Sequence, residues 1–351
     1  MLRPELGIAN TWRLRNGLLR EAQDRAYREG GLMAKIPGGL RELLADAPSN
    51  WGRWGPADQV GSLNYLTPAE VVRGIRAVRS GKVFTLMLQL GDPAGEPLWP
   101  GRMPTGHFMS QDKGSYESGK LQTISGGLEY ADDLLFLACH GTTHCDGLAH
   151  TWFDSQAWNG YPAEGSKGGL ENASILPIAE RGVVGHAILL DIPRYKGIDY
   201  LPMHTQISLA DLLGAAKAQK VTIEKHDIIV IRTGIFRKFY DDGPQAFYAD
   251  FDEPGLTYER ELVDWFHAME IPVSATDILA GEQLSSVTAE AVFPIHAALS
   301  RNLGVVFIEA HWLEKWADDC AADGKYDALY MASPLKLRGG TASPVNPIVV
   351  K

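Results

Sequence analysis

The segment HGTTHCDGLAH, residues 140–150, decides which fold and which chemistry this chain is expected to have. It holds three of the chain's ten histidines, whereas even spacing would place about 0.3 there. Imidazole and carboxylate groups are ligands that Zn²⁺, Mn²⁺ and Fe²⁺ have in common. Its glycines and threonines disfavour a helix, so the spacing predicts a tight loop in which His140, His144 and Asp146 converge on one ion. His150 lies far enough along the loop to act as a base or proton shuttle.

The sequence on either side of this loop predicts an α/β fold. An apolar run at 133–139 predicts a buried strand that leads into the loop. From residue 183 to residue 310, predicted strands alternate with predicted helices. The predicted strands are 83–90, 186–192, 227–233, 272–275 and 304–310, and the predicted helices are 68–78, 209–219, 258–269 and 288–301. Thr67 (with Glu70), Ser208 and Thr257 are the predicted helix caps.

The length of 351 residues suits two domains or one large elaborated domain. Apolar residues at helical spacing predict a helix over 12–27, and the glycine- and proline-rich residues 37–56 predict a linker or surface arm. We therefore divide the chain into an N-terminal helical arm with its linker, residues 1–53, and a single catalytic domain, residues 54–351. A polar, glycine-rich passage at 91–132 is too long for a simple connector and predicts a lid or pocket wall.

Composition narrows the possible partners. A formal net charge of −10 without a long basic run argues against nucleic acid. No apolar stretch approaches the roughly 18 residues needed to cross a bilayer, and no N-terminal run has the length of a signal peptide, so a membrane partner is not expected. Three cysteines are an odd number and favour a reducing compartment over a disulfide framework. The expectation is a cytoplasmic protein that acts on a small-molecule substrate.

Residues 140–150 resemble the motif H-x-G-T-H-x-D-x-P-x-H of the cyclase family, metal-dependent hydrolases that include bacterial kynurenine formamidase and isatin hydrolase. The three histidines, the aspartate and Thr143 match, whereas Thr142 replaces a glycine and Leu148 replaces a proline. The resemblance extends over residues 54–345. Its other segments are WGPADQVGSLNYLTP at 54–68, DIIVIRTG at 227–234, VSATD at 273–277, and the separate residues His296 and Glu309.

The resemblance implies a curved, partly barrel-like mixed sheet flanked by helices, of the swivelling β/β/α-like kind, preceded by the N-terminal helical arm. It implies that His140, His144 and Asp146 bind a divalent metal, Zn or Mn. In dinuclear relatives the aspartate bridges to a second ion held by a distal histidine and glutamate, here His296 and Glu309, while other relatives use one ion. The resemblance also implies a homo-oligomer, dimer or tetramer, since family pockets can be completed across subunits.

The predicted activity is hydrolysis of a small amide, cyclic amide, formamide or lactone. In this hypothesis a metal-bound hydroxide attacks the carbonyl, and His150 takes the proton and returns it to the leaving group. Tyr130, Trp152 and Phe153 flank the segment and are candidates for an aromatic wall that binds substrate. Aromatic residues near a strand end also commonly belong to the core.

Two other functions stay open from the sequence. Cys145 with His150 is compatible with a thiol-based hydrolase, and the histidine cluster is also compatible with a non-catalytic metal-binding protein of the same fold. Asp277 is expected either to orient an imidazole or to cap a strand end. His311 is expected to have a packing role.

Overall fold

A nine-stranded mixed sheet forms the centre of the computed structural model, which describes residues 39–286 and 291–351. Numbered along the chain, the strands are β1 (Val83–Thr85), β2 (Gly106–Gln111), β3 (Asp132–Phe136), β4 (His144–Asp146), β5 (Val183–Asp191), β6 (Gln206–Ile207), β7 (Ile228–Arg232), β8 (Gly255–Leu256), β9 (Val273–Thr276), β10 (Ser285–Ser286), β11 (Ala291–Val292), β12 (Val306–Glu309), β13 (Asp327–Ala332), β14 (Ala342–Pro344) and β15 (Ile348–Val350). Nine of these form the main sheet, in the order β1-β15-β13-β5-β7-β9-β12-β4-β14.

The middle of this sheet is parallel and its margins are antiparallel. Strands β5, β7, β9 and β12 pair in parallel, whereas β4 pairs antiparallel with both β12 and β14. Strand β7 is buried along its whole length, as expected for a parallel strand covered on both faces. The curved, partly barrel-like mixed sheet that the sequence resemblance implied is confirmed.

Helices connect the strands and cover the sheet. The α-helices are α1 (Gly39–Ala45), α2 (Pro68–Ala77), α3 (Lys113–Glu117), α4 (Ile175–Arg181), α5 (Ile192–Lys196), α6 (Leu209–Gln219), α7 (Ile235–Asp241), α8 (Pro244–Tyr248), α9 (Arg260–Ala268) and α10 (Glu314–Asp323). A π-helix spans His296–Leu303, and 3₁₀ helices span Gly61–Tyr65, Trp158–Gly160 and Ala163–Ser166. None of the helices described here has both the length and the apolar character needed to cross a bilayer.

Side-chain alternation along the central strands divides the core into two layers. In β7, Ile228 and Val230 join the layer that includes Trp316 of α10. Ile229 and Ile231 point to the other face and join the layer built on α6, α9 and the π-helix. Because both faces are covered, the strand ends and their loops are the part of the sheet left for a functional site.

The predicted alternation of strands and helices between 183 and 310 is confirmed. Ser208 caps α6 as expected, in a capping box with Asp211. The predicted cap at Thr257 is wrong, because the residue preceding α9 is Glu259 and it forms no side-chain cap bond. Thr67 does precede α2, but its side chain forms no cap bond either.

The strand predicted at 133–139 exists, but the prediction that it is buried is wrong. Strand β3 is exposed at every residue because it pairs only with β2, in a two-stranded hairpin outside the main sheet. We call the strands β2 and β3 the apolar hairpin. Its sequence looks like a core strand because its exposed residues are apolar.

Three other predicted segments have different bounds in the structure. The strand predicted at 83–90 ends at Thr85, and the linker predicted at 37–56 contains helix α1. The helix predicted at 288–301 corresponds to the π-helix His296–Leu303, and residues 287–290 lie outside the described part of the chain. The helix predicted at 12–27 lies outside it as well.

Candidate metal centre

Strand β4 carries two of the predicted ligands on one face. His144 and Asp146 are two residues apart and therefore point to the same side of the strand. On the neighbouring strand β12, Glu309 pairs directly with His144 in the antiparallel register, so its side chain shares that face. Glu309 is the last residue of β12. The site thus lies where a strand of the parallel core ends, the position typical of ligand sites in α/β sheets.

The predicted ligands converge. His140 Nε2 lies 3.3 Å from Asp146 Oδ1, and His144 Nε2 lies 3.6 Å from the same oxygen and 3.2 Å from Glu309 Oε2. Each of these residues has one side-chain atom that is buried without a hydrogen-bond partner among the described residues: His140 Nε2, His144 Nε2, Asp146 Oδ1 and Glu309 Oε1. Buried polar atoms are rarely left unpaired, so four of them in one place fit a bound cation.

The imidazole of His144 is held in the form that a metal requires. Its Nδ1 lies 2.7 Å from the Thr142 carbonyl oxygen, so Nδ1 carries the proton and donates it. Nε2 is left with a lone pair directed at the two carboxylates. Burial lowers the pKa of His144 to about 4 and also lowers that of His140. Both rings are therefore neutral near pH 7, as metal ligands must be.

The two carboxylates of the site respond to burial in opposite directions. Burial and the charge of Asp146 raise the pKa of Glu309 well above its usual range. Burial also acts to raise the pKa of Asp146, but its interactions with the imidazoles of His150, His140 and His144 outweigh this effect and lower it. Two buried carboxylates facing one another repel unless a proton or a cation lies between them.

The distal histidine is held by a glutamate that the sequence did not reveal. His296 begins the π-helix, and its Nδ1 lies 2.5 Å from Glu282 Oε1. Glu282 also accepts hydrogen bonds from the backbone N–H groups of Ile295 and His296. His296 Nε2 lies 3.7 Å from Glu309 Oε1. Burial alone would lower the pKa of His296, but Glu282 raises it to about 9. A carboxylate behind an imidazole is the usual arrangement for orienting a metal ligand.

His150 lies against the ligands, with its ring centroid 4.3 Å from that of His140. The donor atoms form two groups, each within 4.8 Å: His140, Asp146 and His150, and His144, Asp146 and Glu309. Asp146 belongs to both, so the arrangement is compatible with one ion or two. Burial lowers the pKa of His150 to about 3, which leaves its ring unprotonated at neutral pH.

Cys145 points away from the site. As the residue between His144 and Asp146, its side chain occupies the opposite face of β4, where it is fully buried in the apolar core beside Ile308. Burial raises the pKa of its thiol well above the usual range. A cysteine nucleophile needs the thiolate and access to substrate, so the arrangement argues against the thiol-based alternative.

The residues of the predicted aromatic wall differ from the candidate metal ligands in exposure and in contacts. Tyr130 is exposed beside the apolar hairpin, and Trp152 is about half exposed. The ring of Phe153 lies under the guanidinium groups of Arg41 and Arg301, 5.7 and 5.9 Å from its centroid. Their contact with substrate remains a prediction.

Two further polar residues near the site have structural partners. Both carboxylate oxygens of Asp277 accept hydrogen bonds from residues 233 and 234, at 2.7–2.8 Å. Asp277 therefore caps a strand end, and it is hydrogen-bonded to no imidazole of the described residues. His311 is fully buried and bonded to the Thr276 carbonyl and the Tyr330 hydroxyl, which confirms its packing role.

Together these features define an α/β protein with a buried histidine–carboxylate site, able to hold a metal ion, at the end of its parallel core. The chain belongs to the Cyclase family, whose model matches residues 85–283. No functionally curated protein matches its sequence. The crystal structure of a novel cyclase is 35% identical, with a TM-score of 0.79 over 87% of this chain and 100% of that one.

Two isatin hydrolases share the fold at lower identity. One, bound to the product analogue thioisatinate, is 18% identical, with a TM-score of 0.53 over 81% of this chain and 98% of that chain. Isatin hydrolase A from Ralstonia solanacearum is 19% identical, with a TM-score of 0.56 over 82% of this chain and 96% of its own.

Proposed function

We propose that this protein is a metal-dependent hydrolase that cleaves a small amide, cyclic amide, formamide or lactone. The observation that carries the proposal is a set of four buried donor atoms, on His140, His144, Asp146 and Glu309, that have no hydrogen-bond partner in the part of the chain that the structure describes. The shared fold with isatin hydrolases supports the same class of reaction. Oxygen and imidazole donors suit Zn²⁺ or Mn²⁺.

In this proposal the residues of the site have separate roles in metal binding and proton transfer. His140, His144 and Asp146 would hold a first cation, with His296 and Glu309 available to it or to a second one. When bound, a divalent cation supplies Lewis acidity towards a carbonyl oxygen and makes water a stronger acid. His150, unprotonated at neutral pH, accepts a proton from the attacking water. After the water oxygen has bonded to the carbonyl carbon, His150 returns that proton to the leaving nitrogen or oxygen as its bond to carbon breaks.

The experiment combines elemental analysis with a substrate panel of formanilide, a cyclic imide and an aryl lactone. The wild-type protein should hold one or two Zn²⁺ or Mn²⁺ ions per chain and hydrolyse at least one compound. His144→Ala should lose both metal and activity, because it removes a ligand. His267→Ala, a histidine on helix α9, is the matched control and should keep both.

The outcomes separate the remaining alternatives. A wild-type protein that takes up no ion from Zn²⁺ or Mn²⁺ solutions would contradict the proposal. Full metal occupancy without hydrolysis of any compound would favour the non-catalytic metal-binding protein. Activity that survives chelation would contradict the role of the metal.

We also propose that the chain self-associates through the apolar hairpin. The side chains of Phe108, Met109, Leu134, Leu135 and Phe136 are each 50–61% exposed. Four more exposed apolar side chains lie between residues 103 and 130: Met103, Ile124, Leu128 and Tyr130. Exposed apolar side chains gathered in this way commonly mark protein–protein interfaces. A lone two-stranded hairpin is marginally stable in water, so a second copy of the chain covering it would account for its composition.

A further inference from the structure

Arg102 extends to the candidate site from the glycine-rich passage before the apolar hairpin. Its backbone turns there, with the Arg102 N–H donating to the Trp99 carbonyl. Its side chain is partly buried, and Nη1 donates a 2.7 Å hydrogen bond to the carbonyl oxygen of His140. The guanidinium is thereby tied to the first residue of the metal-ligand loop.

This guanidinium has no carboxylate within ion-pair distance among the described residues. A guanidinium has five N–H donors, and only the bond to His140 uses one of them within the described chain. The carboxylates that act on it from a longer distance are Glu309, Asp146 and Glu253, which oppose the lowering of its pKa by burial. The positive charge of Arg102 therefore lies within electrostatic range of the two carboxylates of the metal centre.

Glu253 does not neutralise Arg102. It is fully buried, its Oε2 accepts a hydrogen bond from the Leu279 N–H at 2.9 Å, and its Oε1 has no partner among the described residues. Burial raises the pKa of Glu253 well above its usual range, which favours the uncharged form of the side chain. A divalent cation would in turn compensate the charges of Asp146 and Glu309. The guanidinium is then the one charge left without a counter-ion in the described site.

We infer that Arg102 binds the carboxylate of the ligand and so determines which acids the site recognises. This inference rests on the proposed function, in which cleavage of a carbonyl compound yields a carboxylate. The planar guanidinium matches a carboxylate through two parallel N–H···O bonds. That carboxylate comes either from the newly cleaved bond or from a second acid group that the substrate already carries.

The test measures the binding of benzoate, phthalate and benzamide to the metal-loaded protein by calorimetry. Arg102→Met should weaken the binding of at least one of the two acids, benzoate or phthalate, by about 10- to 100-fold, the loss expected for a charge-assisted hydrogen-bonded pair. Benzamide, which has the same ring and no charge, should bind the two proteins equally. Arg338→Met makes the same substitution at an exposed arginine and should bind benzoate as the wild type does.

Phthalate distinguishes the two sources of the carboxylate. If Arg102→Met weakens phthalate and benzoate alike, Arg102 binds the newly formed carboxylate. If only phthalate loses affinity, Arg102 binds a second acid group of the substrate. Equal affinities of Arg102→Met and wild type for both acids overturn the inference. Elemental analysis of the same samples tests the proposed function separately. A lack of metal contradicts the proposed hydrolase, whatever affinities are measured for the two acids.

Discussion

His144 and His296 each have one ring nitrogen fixed by a hydrogen bond, and the other nitrogen of each ring lies 3.2–3.7 Å from a carboxylate oxygen of Glu309. In His144 the fixing group is the Thr142 carbonyl, two residues away. In His296 it is Glu282, fourteen residues away. The spacing within residues 140–150 was enough to predict His140, His144 and Asp146 as candidate donors. Glu282 and Arg102 were not predicted, because their contacts depend on how distant loops fold over the site.

Glu282 is expected to act as a positioning residue for His296. Glu282→Gln keeps the size of the side chain but removes its charge, so it should weaken metal affinity by about 10- to 100-fold. The measurement is metal affinity by competition with a chelator. Glu259→Gln, which changes a glutamate bonded to the backbone of Leu209, is the control and should leave the affinity unchanged. Wild-type affinity in Glu282→Gln would show that His296 takes no part in binding the metal.

His150 is expected to move protons in the reaction. Replacing it with alanine should cut turnover by about 10²–10⁴-fold while the protein keeps its metal, because His140, His144 and Asp146 remain. The measurements are kcat on whichever panel compound is hydrolysed and metal content by elemental analysis. Loss of the metal together with activity would instead make His150 a ligand, which its place in a group with His140 and Asp146 allows.

At the scale of elements, the two strands that pair with β4 contribute to the site in different ways. Strand β12 supplies Glu309 opposite His144, and β14 closes the other side. Gly147 follows at once, and a Cβ there would lie 2.9 Å from the backbone of Ser174 and Ile175. The pattern of residues 140–150 thus includes a glycine that packing requires. Periodicity alone did not reveal β4, because three residues are too few for it.

A cluster of one histidine and two aspartates joins several elements away from the metal centre. His186 of β5 is bonded to Asp227, at 2.7 Å, and lies 3.5 Å from Asp327 of β13. Burial acts to lower the pKa of His186, but these two aspartates raise it to about 9. Protonated His186 therefore stabilises the fold fully below the unfolded-state pKa of about 6.5. This stabilisation is lost as the pH rises through about 9.

The prediction for this cluster is a pH-dependent loss of stability. Between pH 6.5 and 9.5 the free energy of unfolding should fall by up to about 3 kcal/mol through His186. His186→Gln should remove that part of the decrease. Unfolding of both proteins in guanidinium chloride at the two pH values measures this decrease. Subtracting the decrease of the variant from that of the wild type removes the contribution of His296, which both proteins share. A decrease of the same size in wild type and variant would show that His186 does not carry it, and His267→Gln serves as the control.

At the scale of the whole molecule, alternating strands and helices predicted an α/β domain, and the resemblance predicted its curved sheet. The hydrophobic pattern failed at β3, where it indicated burial. A run of apolar residues indicates only that removing them from water is favourable. It does not say whether the same chain or another molecule excludes the water, so a single chain can present a core-like strand on its surface.

The apolar hairpin therefore leads to a prediction about assembly. Light scattering of the purified protein should give at least twice the mass of one chain, 38.4 kDa. Leu134→Lys combined with Phe136→Lys should produce monomers, because each lysine places a charge in the buried centre of the interface. Leu335→Lys alters a leucine that is equally exposed outside the hairpin, and it should leave the mass unchanged. A wild-type monomer at all accessible concentrations would contradict self-association, and an oligomer that survives the double substitution would place the interface on another surface.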